Sequence, residues 1–417
     1  MEIERGLSAT VTQRIKAIPT GALGIVAVLV WAASALYMLH FGSSWHLDLR
    51  VYRAAGHELF AGGNPFIGDF TANKLPFTYP PFALLVLSPL GFGPLGVIEA
   101  LWWLISSAAL VALLYCLLEA QRGYGQSGGA AVDERGLRLR SLAVAAALGA
   151  VATLALEPVR SNMNYGQINL VLMLLIVLDL TRADSKWRGV MVGLAAAIKL
   201  TPLIYLGYFV LRRNQTSLFR GLVTFVVATG FTWLVLPAES AGYWFHQVVD
   251  AKRTGDVGGV SNQSWEGLLN RAPFHGGEIA TVLWVVLCAA TLACGVLLVR
   301  RLSAAAHPAE TVLALALVEL LVSPISWTHH WSWLVLAPFA VVSLWRRHRL
   351  VAWLFVALVG LAVAAPYWWV LHGPISDLAS NSLVIAGALT LVAWTIAELR
   401  GATASNRHRV VAPGAHR

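Results

Sequence analysis

Charged residues are scarce in this chain of 417 residues. Only 12% are Asp, Glu, Lys or Arg, whereas 58% are hydrophobic, and the mean hydropathy is +0.68. A soluble domain needs about a quarter of its residues charged to cover its surface, so the shortage excludes a water-soluble globular protein. The sequence also lacks a long polar block, which excludes a separate soluble domain and leaves one membrane domain.

Cysteine is also scarce, and the positions of the three cysteines exclude disulfides and metal sites. Cys116, Cys288 and Cys294 all lie inside apolar runs, without Cys-x-x-Cys spacing and without a nearby His. Such cysteines are typical of small buried hydrophobic residues rather than of disulfides or metal ligands. The net charge of +9 is spread over short loops rather than gathered in one patch, so nucleic acid is excluded as a partner and membrane topology explains the basic residues better.

Long apolar runs are what the sequence has in abundance, and each is long enough to cross a hydrocarbon layer of about 30 Å. The first run, 21–41, follows a basic stretch and contains an Ala-x-Ala-like triplet at 33–35, as a secretory signal would. It continues well past the triplet, which favours an uncleaved first helix over a cleaved signal peptide.

Lys and Arg clusters mark cytoplasmic loops because positive charge resists translocation. Each apolar stretch between two such clusters must then leave the cytoplasm and return. The predicted span pairs are 21–41 with 81–119, 141–157 with 167–181, 221–237 with 278–299, 309–323 with 331–345, and 350–371 with 382–398.

The apolar stretch 189–211 is different because basic residues flank both of its ends and Lys199, Thr201 and Pro202 interrupt it. One straight span would place Arg212 and Arg213 outside, against the charge rule, so we expect two short or tilted helices with Lys199 at their outer tip. The predicted fold is thus an all-α polytopic membrane protein of about ten to twelve helices, with extracytoplasmic loops and short interfacial helices.

This topology divides the chain into three segments. Residues 1–20 form a cytoplasmic N-terminal segment, 21–399 form the membrane domain with long outer loops at 42–80 and 238–276, and 400–417 form a basic, disordered cytoplasmic tail. Long loops on a rigid scaffold are where function usually lies.

The first outer loop contains a segment that predicts a short amphipathic helix in the membrane interface, beginning near Asp48 and ended by Gly62 and Gly63. A carboxylate at that position is either a catalytic group or only an N-cap, and the sequence leaves both open. The loop closes with the proline-rich stretch 75–82, which cannot be helical before Pro81 and which stiffens the entry into the next span.

Other outer positions concentrate amides, cations and aromatic rings. These segments are Glu157–Arg160, Asn164–Asn169, Lys199–Pro202, Ser261–Gly267 and Ser326–Trp333. Amides and indoles suit sugars, and cations near the interface suit a lipid phosphate. The pair His329 and His330 suggests a metal, but adjacent helical residues point about 100° apart, so we expect no metal site.

These segments resemble, in family order, the motifs of glycosyltransferase family 87, and most closely its actinobacterial polyprenol-phosphate-mannose-dependent α-1,2-mannosyltransferases that act on phosphatidylinositol mannosides. The resemblance is carried by Asp48–Tyr52, Leu75–Pro81, Tyr165–Asn169, Ile198–Pro202, Asn262–Trp265 and Ser323–Trp331.

The resemblance implies a GT-C fold, transfer of mannose from polyprenyl-phosphate-mannose to a mannose 2-hydroxyl of a glycolipid, inversion at the anomeric carbon, and Asp48 as the base. It further implies a multi-pass protein of the inner membrane with its site on the periplasmic side. The predicted catalytic residues are Asp48, His329 and His330, and the predicted substrate-binding residues are Arg50, Tyr52, Tyr79, Arg160, Tyr165, Gln167, Asn169, Lys199, Asn262, Gln263, Trp265 and Trp327. Among these, Lys199, Arg160 and the His pair are assigned to the phosphate or an oxyanion.

A lipid-phosphate leaving group requires no Asp-x-Asp metal clamp, and the predicted outer loops contain none, so neither a metal nor a cofactor is expected. The expected partners are the lipid-linked donor, a mannosylated glycolipid acceptor and the bilayer, with the chain acting as a monomer. Three alternatives stay open: another lipid-linked sugar such as arabinose or glucose, a lipomannan-type acceptor, and a lipid or sugar transporter.

Overall fold

The computed structural model describes residues 19–41, 46–68, 70–71, 75–125, 134–182, 185–271, 273–302, 307–369 and 372–410. Across these ranges the chain is all-helical without β-strands, apart from an isolated bridge between Asn262 and Trp327. Residues 1–18 of the expected N-terminal segment and residues 411–417 of the expected tail lie outside the described residues.

The α-helices are numbered here in chain order. They are α1 Thr20–Phe41, α2 Leu47–Phe60, α3 Pro81–Leu87, α4 Leu95–Gly125, α5 Glu134–Ala155, α6 Glu157–Tyr165, α7 Asn169–Thr181, α8 Val190–Ile198, α9 Leu203–Leu211, α10 Gln215–Val235, α11 Pro237–Gly242, α12 Trp265–Asn270, α13 Glu278–Arg301, α14 Pro308–Val322, α15 Ala337–Arg347, α16 Arg349–Ala364, α17 Pro374–Ser380 and α18 Ser382–Val410. Short 3₁₀ helices cover Ser88–Gly91, Ala251–Thr254, Thr328–Leu336 and Pro366–Trp368, and a π-helical turn covers Tyr243–Gln247.

The prediction of an all-α polytopic membrane protein is confirmed. Within the described ranges, six helices are long and apolar enough to cross a membrane, and the pair α6 and α7, bent by 117°, would make a seventh. The expected number of about ten to twelve helices includes shorter ones. Several apolar runs form helices of only 9 to 15 residues, whereas one straight span needs about 20 residues.

The stretch 189–211 forms the expected pair of short helices, α8 and α9. A Cβ built on Gly189, at the start of α8, would lie 1.9 Å from the carbonyl oxygen of Ser217, which follows the end of α9 by six residues. The chain therefore returns to its starting point, and Lys199 lies at the opposite end of the hairpin, between the two helices.

The core forms around α14, nearly all of whose residues are buried. In contrast, α10 and α13 leave large apolar side chains exposed, for example Val226, Leu234, Val282 and Val286, as expected for helices that face lipid tails. The last helix, α18, continues to Val410, so part of the segment assigned to the tail extends this helix.

The close approach of α8 and α10 depends on glycine. A Cβ on Gly193 would lie 2.3 Å from the backbone oxygen of Gly221, whereas a Cβ on Gly207 in α9 would meet nothing within 4 Å. We expect Gly193→Ala to lower the free energy of unfolding by about 1–3 kcal/mol, since the backbone must shift to admit the methyl group. Thermal melting of the purified protein in detergent measures this, with Gly207→Ala as the matched control. Equal melting temperatures for the two variants would contradict the packing described here.

Candidate active site

A cavity of about 260 Å³ lies where the two long loops meet the α6–α7 junction and the tip of the α8–α9 hairpin. It is lined by Asp48, Val51, Tyr52, the extended stretch 75–80, Gln167, 199–201, Tyr243, Val248, Arg253, Thr254, 323–325, Trp327 and His330. Residues far apart in the sequence thus converge on one chamber, as the loop assignment predicts.

Asp48 lies in the first turn of α2, where the N-cap position is taken by His46. Its carboxylate is bonded to the side chain of Gln167 in the chamber, so the interpretation of Asp48 as only an N-cap is wrong. The predicted helix at the start of the first outer loop is confirmed as α2, which ends at Phe60 just before Gly62 adopts a φ of 79°.

Gln167 joins the carboxylate to two tyrosines. Its Oε1 accepts hydrogen bonds from the hydroxyls of Tyr79 at 2.7 Å and Tyr52 at 3.2 Å. Because Oε1 is occupied by donors, the amide nitrogen is the group that donates to Asp48. The Gln167 amide therefore fixes the orientation of the Asp48 carboxylate.

Gly166 places Gln167 at this position. It ends α6 in the left-handed conformation, with φ 67° and ψ 36°, which favours glycine. A Cβ there would also lie 2.7 Å from the Cβ of Leu49, the neighbour of Asp48. Glycine is thus required both by the turn and by the close packing of the turn onto α2.

Lys199 is the cation at the floor of the chamber. Its Nζ donates to Oδ1 of Asn169 at 2.9 Å and lies 3.1 Å from Nε2 of His330. It also lies 5.4 Å from the centre of the Tyr79 ring. An ammonium group has three hydrogens and no lone pair, so one N–H remains beyond these two partners for a ligand oxygen.

The contact with Lys199 determines the protonation state of His330. Since an ammonium can only donate, Nε2 of His330 must be the acceptor and the imidazole neutral. The ring also bonds the backbone of Ile325, which fits a proton on Nδ1. His329 is buried against Tyr165, with ring centroids 5.5 Å apart, and does not line the chamber.

Several predicted substrate-binding residues lie outside the chamber lining. Arg50 faces Glu99 at 3.8 Å, and Arg160 donates to the carbonyl of Leu154 at 2.9 Å. Tyr165 packs on His329 instead of facing the chamber.

The Asn262–Trp265 segment connects helices and backbone rather than opening into the cavity. Asn262 donates to the carbonyls of Val257 and Pro324 and accepts from the amide of Ser326. Trp265 donates to Thr291 at 2.9 Å. Trp327, which pairs with Asn262 through the isolated bridge, does line the chamber.

Gln263 is bonded in the same way. Its amide nitrogen donates to the carbonyls of Val260 at 2.7 Å and Ser380 at 2.6 Å, and its oxygen accepts from the amides of Leu383 and Val384. All of these partners are backbone groups, so the side chain joins the second outer loop to the start of α18.

The sequence patterns did not identify two charged residues, one in the chamber and one beside it. Arg253 lines the chamber and donates to the carbonyls of Phe66 and Phe77, so it ties the second outer loop to the first. In the sequence, Arg253 lies near Asp250 and Asp256, and nothing in that pattern indicates that it contacts the first outer loop. Glu319 lies in an apolar run that the sequence pattern assigns to a span, and a lone carboxylate within a span is itself a sign of a functional residue.

Burial raises the pKa of Asp48 to about 6, while the hydrogen bond from Gln167 and the charge of Lys199 act in the opposite direction. Burial, together with the nearby Asp48 carboxylate, also raises the pKa of Tyr79 above its ordinary value. Near neutral pH the chamber therefore holds an ionised carboxylate beside neutral phenols. Among the residues that the structure describes, no group of three or more His, Cys, Asp or Glu side chains is placed to hold a metal ion.

The family model described as Glycosyltransferase family 87 matches residues 77–324, which is more than half of the chain. The chain belongs to glycosyltransferase family 87. The resemblance found from the motifs is thereby confirmed, and the protein is a membrane glycosyltransferase rather than a transporter.

Its relatives are similar over most of their length. A polyprenol-phosphate-mannose-dependent α-(1-2)-phosphatidylinositol mannoside mannosyltransferase of Mycobacterium tuberculosis is 34% identical over 76% of this chain and 75% of its own. A phosphatidylinositol pentamannoside mannosyltransferase of Mycolicibacterium smegmatis, with the same donor and linkage in its name, is 30% identical over 91% of this chain and 90% of its own. No solved structure matches this family 87 chain.

The backbone bonds of Gln263 predict a structural role within the glycosyltransferase. We expect Gln263→Ala to lower the free energy of unfolding by about 1–3 kcal/mol or more, because buried backbone groups lose their partners. Thermal melting in detergent measures the loss. Ser380→Ala is the matched control, since Gln263 bonds the Ser380 carbonyl and the Ser380 hydroxyl is exposed. A Gln263→Ala protein that melts like the wild type but fails to bind substrate would show a ligand role instead.

Proposed function

We propose that this glycosyltransferase transfers mannose from polyprenyl-phosphate-mannose to a mannose 2-hydroxyl of a phosphatidylinositol mannoside, with inversion and with Asp48 as general base. The donor, the linkage and the acceptor class are those in the names of its relatives. The observation that carries the proposal is that one chamber holds Asp48, with its carboxylate fixed by Gln167, together with the cation Lys199.

The chemistry needs these two charges in one cavity. The acceptor oxygen attacks the anomeric carbon on the face opposite the phosphate, so the new C–O bond forms as the sugar–phosphate bond breaks. The hydroxyl proton passes to the Asp48 carboxylate, and the electron pair of the broken bond leaves with the phosphate. The leaving phosphate gains one negative charge, which the remaining N–H of Lys199 can stabilise.

The contacts of the other residues suggest how the roles are divided. Tyr52, Tyr79 and Gln167 act on the carboxylate side, where they orient Asp48. Asn169 and His330 act on the phosphate side, where they hold Lys199. Trp327 and the extended stretch 75–80 supply walls against which a sugar can stack.

The hairpin supports a site that faces the extracytoplasmic side. Lys199 lies at the tip of α8, and Arg188, Arg212 and Arg213 lie at the other end of the hairpin. A helix of nine residues spans about 13 Å, so this distance along the hairpin separates the chamber from the cluster of three arginines. Because basic clusters favour the cytoplasmic side, the chamber is assigned to the opposite side.

The direct test is transfer by the purified protein from polyprenyl-phosphate-mannose to a panel of phosphatidylinositol mannosides and lipomannan-type acceptors, followed by linkage analysis. We expect α-1,2-linked mannose on a phosphatidylinositol mannoside. Transfer of arabinose or glucose from their lipid phosphates, with none of mannose, would contradict the proposed donor. Product formed only on a lipomannan-type acceptor would contradict the proposed acceptor.

Asp48→Asn tests the base. General base catalysis contributes about 10²- to 10⁴-fold, so kcat should fall by at least about 100-fold while the donor still binds. Glu99→Gln is the matched control, because Glu99 faces His46 and Arg50 outside the chamber. Near-normal turnover by Asp48→Asn would remove Asp48 from the mechanism.

The raised pKa of Asp48, about 6, predicts the acid side of the pH profile. The base acts in its ionised form, so kcat/KM should be level from just above this pH to neutrality and fall about tenfold per pH unit well below it. The wild-type profile between pH 4.5 and 8 measures this, and Glu99→Gln should keep it. A profile that stays level down to pH 4.5 would contradict an ionised Asp48 as the base.

A further inference from the structure

A second, smaller cavity adjoins the chamber on the far side of Lys199. Its volume is about 30 Å³, and it is lined by Asn169, Leu172, Met173, Ile176, Lys199, Thr201, Pro202, Glu319, His330 and Trp333. Lys199, Thr201 and His330 line both cavities. The ammonium of Lys199 therefore lies on the boundary between the chamber and a pocket whose carboxylate, Glu319, has no role in the mechanism above.

Glu319 projects from α14 and is surrounded by hydrogen-bond donors. The hydroxyl of Tyr205 donates to its Oε2 at 2.7 Å, and the side chains of Thr201 and Trp333 also bond the carboxylate. An ionised carboxylate is an acceptor at every lone pair, whereas a protonated one must donate. Three donors directed at one carboxyl group thus favour its ionised form.

An ionised carboxylate in apolar surroundings requires a cation nearby. Lys199 is the cation that lines the same cavity, and it interacts electrostatically with both Glu319 and Asp48. The other titratable groups near Lys199 are His330 at 3.1 Å, the Tyr79 ring, and His329, which packs on Tyr165 but still lies within electrostatic reach. Burial keeps these groups neutral, so among the described residues the negative charges that act on Lys199 are Glu319 and Asp48.

The two carboxylates differ in what happens to them during the proposed reaction. Asp48 accepts the proton of the acceptor hydroxyl and becomes neutral at the same time as the leaving phosphate gains a charge. Glu319 lies behind Lys199, held by Tyr205, and does not line the chamber. Its charge therefore persists when that of Asp48 is lost.

We infer that Glu319 is a positioning residue for the donor phosphate: its charge keeps the Lys199 ammonium protonated and in place throughout turnover. The inference rests on the proposed function, since it needs Lys199 to bind the phosphate of the lipid-linked sugar. Glu319 itself touches neither the sugar nor the phosphate.

Glu319→Gln in the full-length protein tests the inference because it removes the charge and keeps most of the shape. With the donor concentration varied, we expect the KM for polyprenyl-phosphate-mannose to rise about tenfold at pH 7 with a smaller change in kcat. As the pH is raised, the Glu319→Gln variant should lose donor binding at a lower pH than the wild type. The reason is that the Lys199 ammonium, unpaired in an apolar site, gives up its proton more readily. Glu319→Asp keeps the charge and should restore part of the affinity.

Tyr205→Phe removes one hydrogen bond from the carboxylate and leaves the charge, so its KM should rise less than that of Glu319→Gln. Glu99→Gln is the matched control, because it removes the charge of a carboxylate that lines neither cavity, and it should keep the wild-type KM and pH dependence. A Glu319→Gln protein with the wild-type melting temperature, KM and pH profile would overturn the inference. So would equal losses in Glu319→Gln and Tyr205→Phe, which would indicate a purely structural network.

A separate binding measurement distinguishes failure of this inference from failure of the proposed function. Thermal shift with polyprenyl phosphate alone should show weaker binding to Glu319→Gln than to the wild type, independent of any transfer. If the wild type transfers no mannose, the proposed function is contradicted, and this binding comparison still decides the role of Glu319. Equal shifts in melting temperature for the wild type and Glu319→Gln would overturn the inference about Glu319.

Discussion

The site depends on one constraint: every charge placed inside an apolar helical bundle must be paired or hydrogen-bonded. The cost of an isolated buried charge is several kcal/mol or more, so the carboxylate of Asp48 could not stay ionised near neutral pH without a donor. Gln167 provides that donor, and Tyr52 and Tyr79 fix the amide. Asn169 and His330 do the same for Lys199. Two polar networks therefore meet at the chamber, one around Asp48 and one around Lys199, with the Lys199 ammonium over the Tyr79 ring between them.

The sequence predicted the helical membrane fold and most of the residues that meet in this network. Asp48, Tyr52, Tyr79, Gln167, Lys199, Trp327 and His330 all line the chamber, because polar motifs at the ends of apolar runs collect at one end of a helical bundle. The hairpin around Lys199 was also predictable, since the charges at both of its ends exclude a straight span.

What the sequence could not give was the direction of each side chain. Asn262 and Gln263 belong to a polar motif beside the chamber, yet their amides bond backbone groups. His329 and His330 are adjacent, but on a helix adjacent residues diverge, so one faces Lys199 and the other Tyr165. Glu319 lies within a predicted span, and its place in the sequence does not show that the fold brings it to Lys199 and Tyr205.

The shortness of the hairpin has a consequence for the fate of the activated sugar. Helix α8 rises only about 13 Å over its nine residues, less than half of the hydrocarbon thickness of about 30 Å. With its basic end at a membrane surface, a hairpin of this length keeps Lys199 within the hydrocarbon thickness, where water is scarce. A glycosyl donor that reacts at such a depth meets little water, so transfer to an acceptor hydroxyl is favoured over hydrolysis of the donor.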